Sequence, residues 1–414
     1  MKAQILSGLN DPAQLEHLYR SNKSSFKREF IELYPEIKDT SLAAFWKERL
    51  SFSGEEINWG SAKEIFLVLL GIIIAGLTAK LPAFFGIDED FFYPRNLGFI
   101  VFPVLTAYFA WKNNLSKGKS IVIALAIFAG LLYINSLPDF PESDTLILAC
   151  IHLLVFLWFL LGIAFVGEEE DTNVGRLSFL KFNGDLVVLS ALICIAGGIV
   201  TAVTIGLFQL IGLNIEEFYF QNIVVFGLPA VPVIASFLIS TNPQLVGKVS
   251  PVIARLFSPV VLVMLVIYLG AMAFSGKDPY SDREFLLIFN ILLIGVMALI
   301  FFSVAETSGK SKSKPEIYIL VLLSLVTVVV NGIALSAILF RIAEWGITPN
   351  RLAVLGANVL ILVNLLLVSF QLFKAASKNS QLHQVGNIIA RYLPVYFVWA
   401  ILVTFLFPLI FGIS

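Results

Sequence analysis

Between Ser275 and Glu306 the chain crowds Lys277, Asp278, Asp282, Arg283 and Glu284 into one short loop, with Tyr280 among them and Asn290 in the apolar run that follows. Guanidinium and carboxylate groups at this density suit a small anionic or zwitterionic ligand, because a planar guanidinium takes a carboxylate through two parallel hydrogen bonds. Two further loops carry the same mixture. One holds Glu216, Glu217 and Tyr219; the other holds Arg341, Glu344 and Arg351 beside Trp345 and Thr348. Two readings fit these residues. They form a ligand site at a membrane mouth, or a polar clasp in which Arg283, Arg341 and Arg351 pair with Glu216, Glu217, Glu284 or Glu344.

A second feature is Gly227-Leu-Pro-Ala-Val-Pro232, in the middle of an apolar run. Pro229 and Pro232 each remove an internal hydrogen bond, so this stretch predicts a kinked or broken helix. Broken helices at mid-membrane often line transport sites, and proline kinks are also common in ordinary spans. Other chemistry is thinly represented. The Gly276-Lys277 pair lacks the spacing of a phosphate-binding loop. No nucleophile–base arrangement or paired histidines stand out, and Cys150 and Cys194 offer neither a disulfide framework nor metal-ligand spacing. The expectation is no cofactor and no metal, with enzymatic activity disfavoured. Glu168-Glu169-Glu170-Asp171 reads as a solvated acidic run. Lys310, Lys312 and Lys314 suit contact with anionic headgroups.

The elements that position these residues follow from composition. The chain of 414 residues is 58% hydrophobic and 14% charged, with mean hydropathy +0.89. A soluble chain carries about 25% charged residues. Lipid is therefore the solvent for most of it, and the net charge of −1 gives no basic excess for nucleic acid. A span needs about 20 apolar residues. Eleven runs qualify: 65–84, 96–111, 120–137, 145–166, 186–211, 218–239, 253–274, 285–304, 317–340, 354–373 and 392–413. The second and third are short, which leaves ten or twelve spans open.

Lys and Arg gather in alternate loops. Lys112, Lys117 and Lys119 lie on one side, with Arg176, Lys181, Lys248, Arg255, Lys374 and Arg391; few basic residues lie on the other. The positive-inside rule then predicts a cytoplasmic N-terminus and an outer C-terminus. Lys80, Arg255 and Glu306 fall near span ends, where long side chains reach the interface. Embedded polar residues are neutral: His152, Gln209, Asn290, Asn331, Asn358 and Asn364. Such asparagines most often join helices. Gly198, Ala202 and Gly206 form a small-residue ridge that predicts close helix approach.

Residues 1–63 predict short amphipathic cytoplasmic helices and no cleavable signal peptide. Asp11-Pro12 is a helix start, and Asp39 or Thr40 caps a later one. Phe26, Phe30 and Leu33 share a face, as do Leu42, Phe45, Trp46 and Leu50. These faces suit a membrane interface, a small helical cap or a partner. The expected architecture is all-α: this segment over 1–63, then a transmembrane helix bundle over 64–414.

Several strings in the second half resemble a known group. They are Ile215-Glu-Glu-Phe-Tyr-Phe220, Thr241-Asn-Pro-Gln-Leu245, Lys248 through Pro259, Gly276 through Asn290, and Gly346-Ile-Thr-Pro-Asn-Arg351. Together they resemble domain-of-unknown-function family 4153, uncharacterised bacterial polytopic membrane proteins. The likeness covers roughly 180–370 well and the N-terminal third weakly. It implies a bacterial cytoplasmic membrane location and carries no activity. The functional expectation is a transporter-like or ligand-binding protein with an outer-facing polar site. The alternative is a scaffold, sensor or regulator acting through its cytoplasmic helices, and a lipid-acting membrane enzyme comes third.

Overall fold

A computed structural model describes the chain apart from residues 1, 10, 22, 39, 52–58, 170, 211–212, 246–248, 275–279, 281–282, 307–313, 378–381 and 414. The chain forms two compact units, Met1–Asn58 and Trp59–Ser414.

In the first unit, α1 (Lys2–Ser7), α2 (Pro12–Ser21), α3 (Lys23–Ile37) and α4 (Ser41–Ser51) follow one another. Asp11 caps α2 by accepting from the Ala13 N–H at 2.9 Å, and Thr40 caps α4 through the Ala43 N–H at 3.3 Å. Such side-chain acceptors satisfy amides that the first helical turn leaves open. The apolar faces of α3 and α4 turn toward each other. Phe26, Phe30, Leu33, Trp46 and Leu50 are buried with Ile5 and Leu15 in a core belonging to this unit. Phe45 and Ile31 remain exposed.

The second unit is a bundle. Its helices are α5 (Ala62–Ala79), α6 (Leu81–Phe85), α7 (Glu89–Lys112), α8 (Lys117–Ser136), α9 (Asp144–Val166) and α10 (Thr172–Leu210). There follow α11 (Glu216–Tyr219), a π-helical turn over Phe220–Val224, and α12 (Val225–Thr241). Then come α13 (Val249–Phe274), α14 (Arg283–Glu306), α15 (Lys314–Trp345) and α16 (Pro349–Ser377). Last are α17 (Leu382–Ile401), a second π turn and α18 (Phe407–Phe411). Helices are the form open to a chain in lipid, because each satisfies its own backbone groups. Nine helices among the described residues are long and apolar enough to cross a membrane. The expected runs 96–111 and 253–274 fall in α7 and α13. The first of these helices bears Glu89, Asp90, Arg95 and Lys112; the apolar part of the second is the shorter stretch Leu256–Ile267.

Two cores hold the bundle. One gathers α5, α7, α8, α9, α12 and the start of α10 around Phe109, Leu157 and Phe182. The other gathers α13 to α17 around Phe289, Leu323, Val330 and Leu365. Helices α9, α10 and α17 lie at the seam. There the rings of Phe156 and Phe397 stack with centroids 5.7 Å apart. Glycine lets helices approach closely at two points of this seam: a Cβ at Gly184 would overlap the Phe302 ring, and one at Gly356 would overlap the Trp399 ring. The Gly198–Gly206 ridge behaves otherwise. Among the described residues nothing lies within 4 Å of a Cβ placed at Gly198 or Gly206, so no described helix packs closely on these two positions.

Successive long helices reverse direction, and their tips meet at two ends. At one, Glu64 meets Lys112 and Asn113 meets the Phe165 carbonyl. At the other, Arg95 meets Asp139 and Thr145 meets the Gly412 carbonyl. We call these the Glu64 end and the Arg95 end.

Candidate functional site

The expected polar cap lies at the Arg95 end, and it divides. Lys277, Asp278 and Asp282 lie outside the described residues, as do the side chains of Arg283 and Glu284, whose backbone forms the first turn of α14. Tyr280, Arg341 and Arg351 come together. The Arg341 Nε donates to the Tyr280 carbonyl at 2.9 Å, and the Tyr280 hydroxyl lies 3.3 Å from Ser336 Oγ. Arg351 Nη1 donates to the carbonyls of Trp345 and Gly346 at 2.8 and 2.7 Å, so it closes the C-terminal end of α15. Both guanidinium groups flank the Trp345 ring, at 5.8 and 5.6 Å. Glu344 is exposed beside them.

Glu216, Glu217 and Tyr219 belong elsewhere. They form α11, whose continuation α12 packs on α5. Glu217 accepts from Gln221 at 3.2 Å, and neighbouring Asn222 bonds Lys80. Among the described residues the cap is thus helix-end closure on α15 plus a separate acidic turn. Asn290 is half-buried, about two turns into α14.

The proline stretch differs from a broken helix. Helix α12 runs from Val225 to Thr241 with Pro229 and Pro232 inside it, and the departure from α geometry is the π turn that precedes it. Pro229 cannot donate to the Val225 carbonyl, and its ring crowds that carbonyl. Widening the turn just upstream relieves the clash without parting the helix. Pro229 is buried, while Gly227 faces outward with nothing near it.

The polar groups that do converge lie at the seam. A cavity of about 560 Å³ sits among α9, α10, α14, α16 and α17. No Asp, Glu, Lys or Arg lines it; its polar side chains are His152, Asn183, Tyr396 and the Trp158 and Trp399 indoles. Each is set by its neighbours. Asn183 accepts from Trp158 Nε1 at 2.8 Å and donates to the Phe179 carbonyl at 2.6 Å. The Tyr396 hydroxyl accepts from Asn364 Nδ2 at 2.9 Å and points its proton at Met297 Sδ, 3.4 Å away. His152 Nδ1 lies 2.9 Å from the Leu148 carbonyl, which leaves Nε2 as its second hydrogen-bonding atom. Trp399 Nε1 is buried with no hydrogen-bond partner among the described residues. An orphan donor costs about 1–3 kcal/mol. An acceptor in the cavity would recover that. The cavity is a half-open cleft, with Val187, Ile294 and Ala298 exposed along its wall, and like small-molecule sites it is mostly apolar with a few fixed polar groups.

A smaller cavity of about 240 Å³ opens at the Glu64 end. Lys119, Thr172 and Arg176 line it with Pro394, and it shares Phe159 and Leu393 with the larger one. A third, of about 1120 Å³, runs between α7 and α8. Its two amides, Asn96 and Asn135, bond each other at 2.9 and 2.8 Å, so they offer a ligand less.

Sequence reasoning missed the charge pairs. Glu64 is buried and accepts from Lys112 Nζ at 2.7 Å and Tyr108 Oη at 2.8 Å. Its position was marked by Ser61-Ala-Lys-Glu64, a capping-box spacing, and Ser61 Oγ does accept from the Glu64 N–H at 3.1 Å. The partners lie more than forty residues on, where no local signal reaches. Arg95, also buried, pairs with Asp139 at 3.1 Å, and Lys181 lies 3.4 Å from buried Glu306. Outside the spans, Lys119 Nζ bonds Glu168 at 2.6 Å and the Ser116 N–H does so at 3.1 Å. Those donors hold the Glu168 carboxyl down to about 2. No family model, curated protein or solved structure matches the chain.

Proposed function

We propose that this polytopic membrane protein binds, in a transporter-like manner, a largely apolar ligand inside the bilayer. The observation that carries the reading is the seam cavity, where an unpartnered Trp399 indole, His152 and Tyr396 face one uncharged space between two helix cores. The mixed charges at the Arg95 end then act as a clasp on helix ends: Arg341 bonds the Tyr280 carbonyl, and Arg351 bonds those of Trp345 and Gly346. In this reading all eleven long helices cross, α7 and α13 included. The Glu64 end, rich in Lys and Arg, faces the cytoplasm. The resemblance in residues 180–370 supports a bacterial cytoplasmic membrane.

A second reading rests on the first unit. A separate core with Ile31 and Phe45 exposed suits a surface for a protein partner. It leaves the seam cavity without a role, and we place it second.

A ligand that binds only the folded state raises stability. Delipidated protein should therefore gain thermal stability when bilayer lipid extract is added. Ala298→Phe, which puts a ring into the cavity, should gain clearly less. Equal gains in both proteins would sink the cavity as the site.

A further inference from the structure

The two cavities at the seam differ in chemistry and have Phe159 and Leu393 as common wall residues. The small one opens at the Glu64 end and carries charge; the large one lies deeper and carries none. Pro394 lines the first and Trp399 the second. Five helical residues separate them, about 7–8 Å along α17. A charged head at the surface, acceptors one step deeper and apolar matter beyond them is the profile of a glycerophospholipid.

The charges at the mouth narrow the head. Lys119 is already neutralised by Glu168 at 2.6 Å. Arg176 is not: its described bond goes from Nη1 to the Ala390 carbonyl at 3.3 Å, and the rest of its fork is half-exposed beside Thr172. Glu169 is exposed, and its Oε2 lies 2.6 Å from where a Gly175 Cβ would stand. Gly175 immediately precedes Arg176, so a carboxylate and a guanidinium flank one turn of α10. No ion pair joins them among the described residues. Asp171 is occupied, accepting from the Asn173 N–H at 3.0 Å as a helix cap. Arg176 therefore stands in the cavity lining with bonding capacity left, and the exposed Glu169 carboxylate lies outside that lining, against the helix position before Arg176.

We propose that the two adjoining cavities together bind a zwitterionic aminophospholipid of the phosphatidylethanolamine kind, the lipid passing between the Phe159 and Leu393 side chains, and this rests on the seam cavity being a ligand site. Its phosphate sits on Arg176 and Thr172. Its terminal ammonium reaches Glu169. Its ester carbonyls lie near the Trp399 indole, and one acyl chain fills the space between α9, α14 and α17. A choline head carries no N–H to give Glu169. A glycerol head carries no positive charge. Arg176 favours phosphate because its planar fork matches two oxygens at once.

The test is lipid retention by the full-length protein. It is extracted gently from vesicles holding equal parts of phosphatidylethanolamine, phosphatidylglycerol and phosphatidylcholine, and bound lipid is counted by native mass spectrometry. Wild type should retain phosphatidylethanolamine about tenfold over the others, one good charge-assisted contact being worth about that factor. Glu169→Gln should erase the preference by lowering phosphatidylethanolamine retention to the level of the other two lipids. Arg176→Gln should lower retention of all three, with Arg176→Lys intermediate as a folded control. Equal retention of the three lipids by wild type would overturn the headgroup assignment while leaving the cavity reading intact. Unchanged retention in Ala298→Phe would overturn the cavity reading itself. Displacement of the lipid by excess inorganic phosphate would make the rim a soluble-anion site and overturn the proposal.

Discussion

The indole of Trp399 occupies the space that any side chain at position 356 would need: a Cβ on Gly356 would overlap its ring. The absence of one side chain on α16 thus lets a large one on α17 form a wall of the seam cavity. Gly356→Ala should force the ring to move or the helices to part, at about 1–3 kcal/mol, the usual cost of overpacking. Thermal unfolding in detergent reads it. Adding Trp399→Leu to Gly356→Ala should return part of the loss; an additive further loss would mean the two residues do not share the space.

Glu64 and Lys112 form the mostly buried ion pair of the Glu64 end, at 2.7 Å. Removing one partner strands the other. Lys112→Met should cost about 3 kcal/mol, whereas Lys112→Met with Glu64→Gln should recover much of it. If the single substitution proves as mild as the double one, water reaches the carboxylate and the pair matters little.

Asn96 and Asn135 exchange two amide hydrogen bonds between α7 and α8. Asn135→Ala should cost about 1 kcal/mol, in line with hydrogen bonds between membrane helices. Asn96→Ala alone and both changes together should cost about the same as Asn135→Ala, since either change removes both bonds. Each amide also donates to a carbonyl of its own helix, Asn96 to Phe92 and Asn135 to Leu131, and strict additivity would show that those bonds, not the exchange, carry the energy.

Glu168 should titrate at about 2 rather than at its ordinary 4.5, because Lys119 and Ser116 bond its charged form. A depressed carboxyl adds stability that is whole above the unfolded value and is lost as pH falls through the folded one. The clamp between the α7–α8 turn and the end of α9 should therefore loosen between pH 4.5 and about 2. Carboxyl carbon shifts in glutamate-labelled protein would follow it. Lys119→Ala should move the midpoint upward; a wild-type midpoint near 4.5 would refute the clamp.

Much of the frame was legible because its causes are local. Apolar run length marked the helices, Asp11 and Thr40 marked starts, and the period of Phe26, Phe30 and Leu33 marked a buried face. That face could not say what it would meet, and it met the rest of its own unit. Asn331 and Asn364 were readable as helix joiners: they reach the Asn358 carbonyl and the Tyr396 hydroxyl. The cavity was not readable. It arises where Gly184 and Gly356 admit Phe302 and Trp399, and nothing separates those glycines by sequence from Gly198 and Gly206, on which no described helix packs closely. Pro229 and Pro232 predicted a kinked or broken helix; α12 runs unbroken through both, and the departure from α geometry is the π turn ahead of them. Charge density drew attention to Arg341 and Arg351; a distant contact takes the first to the Tyr280 carbonyl, while the second closes the nearby end of α15.

The central claim is that the seam cavity holds a ligand. The direct measurement is the mass of the intact protein, released gently from its native membrane, beside that of Ala298→Phe prepared in the same way. The account predicts an adduct of about one lipid-sized molecule per wild-type chain, absent or sharply reduced in the variant. Identical adducts on the two proteins, or none on either, would contradict it.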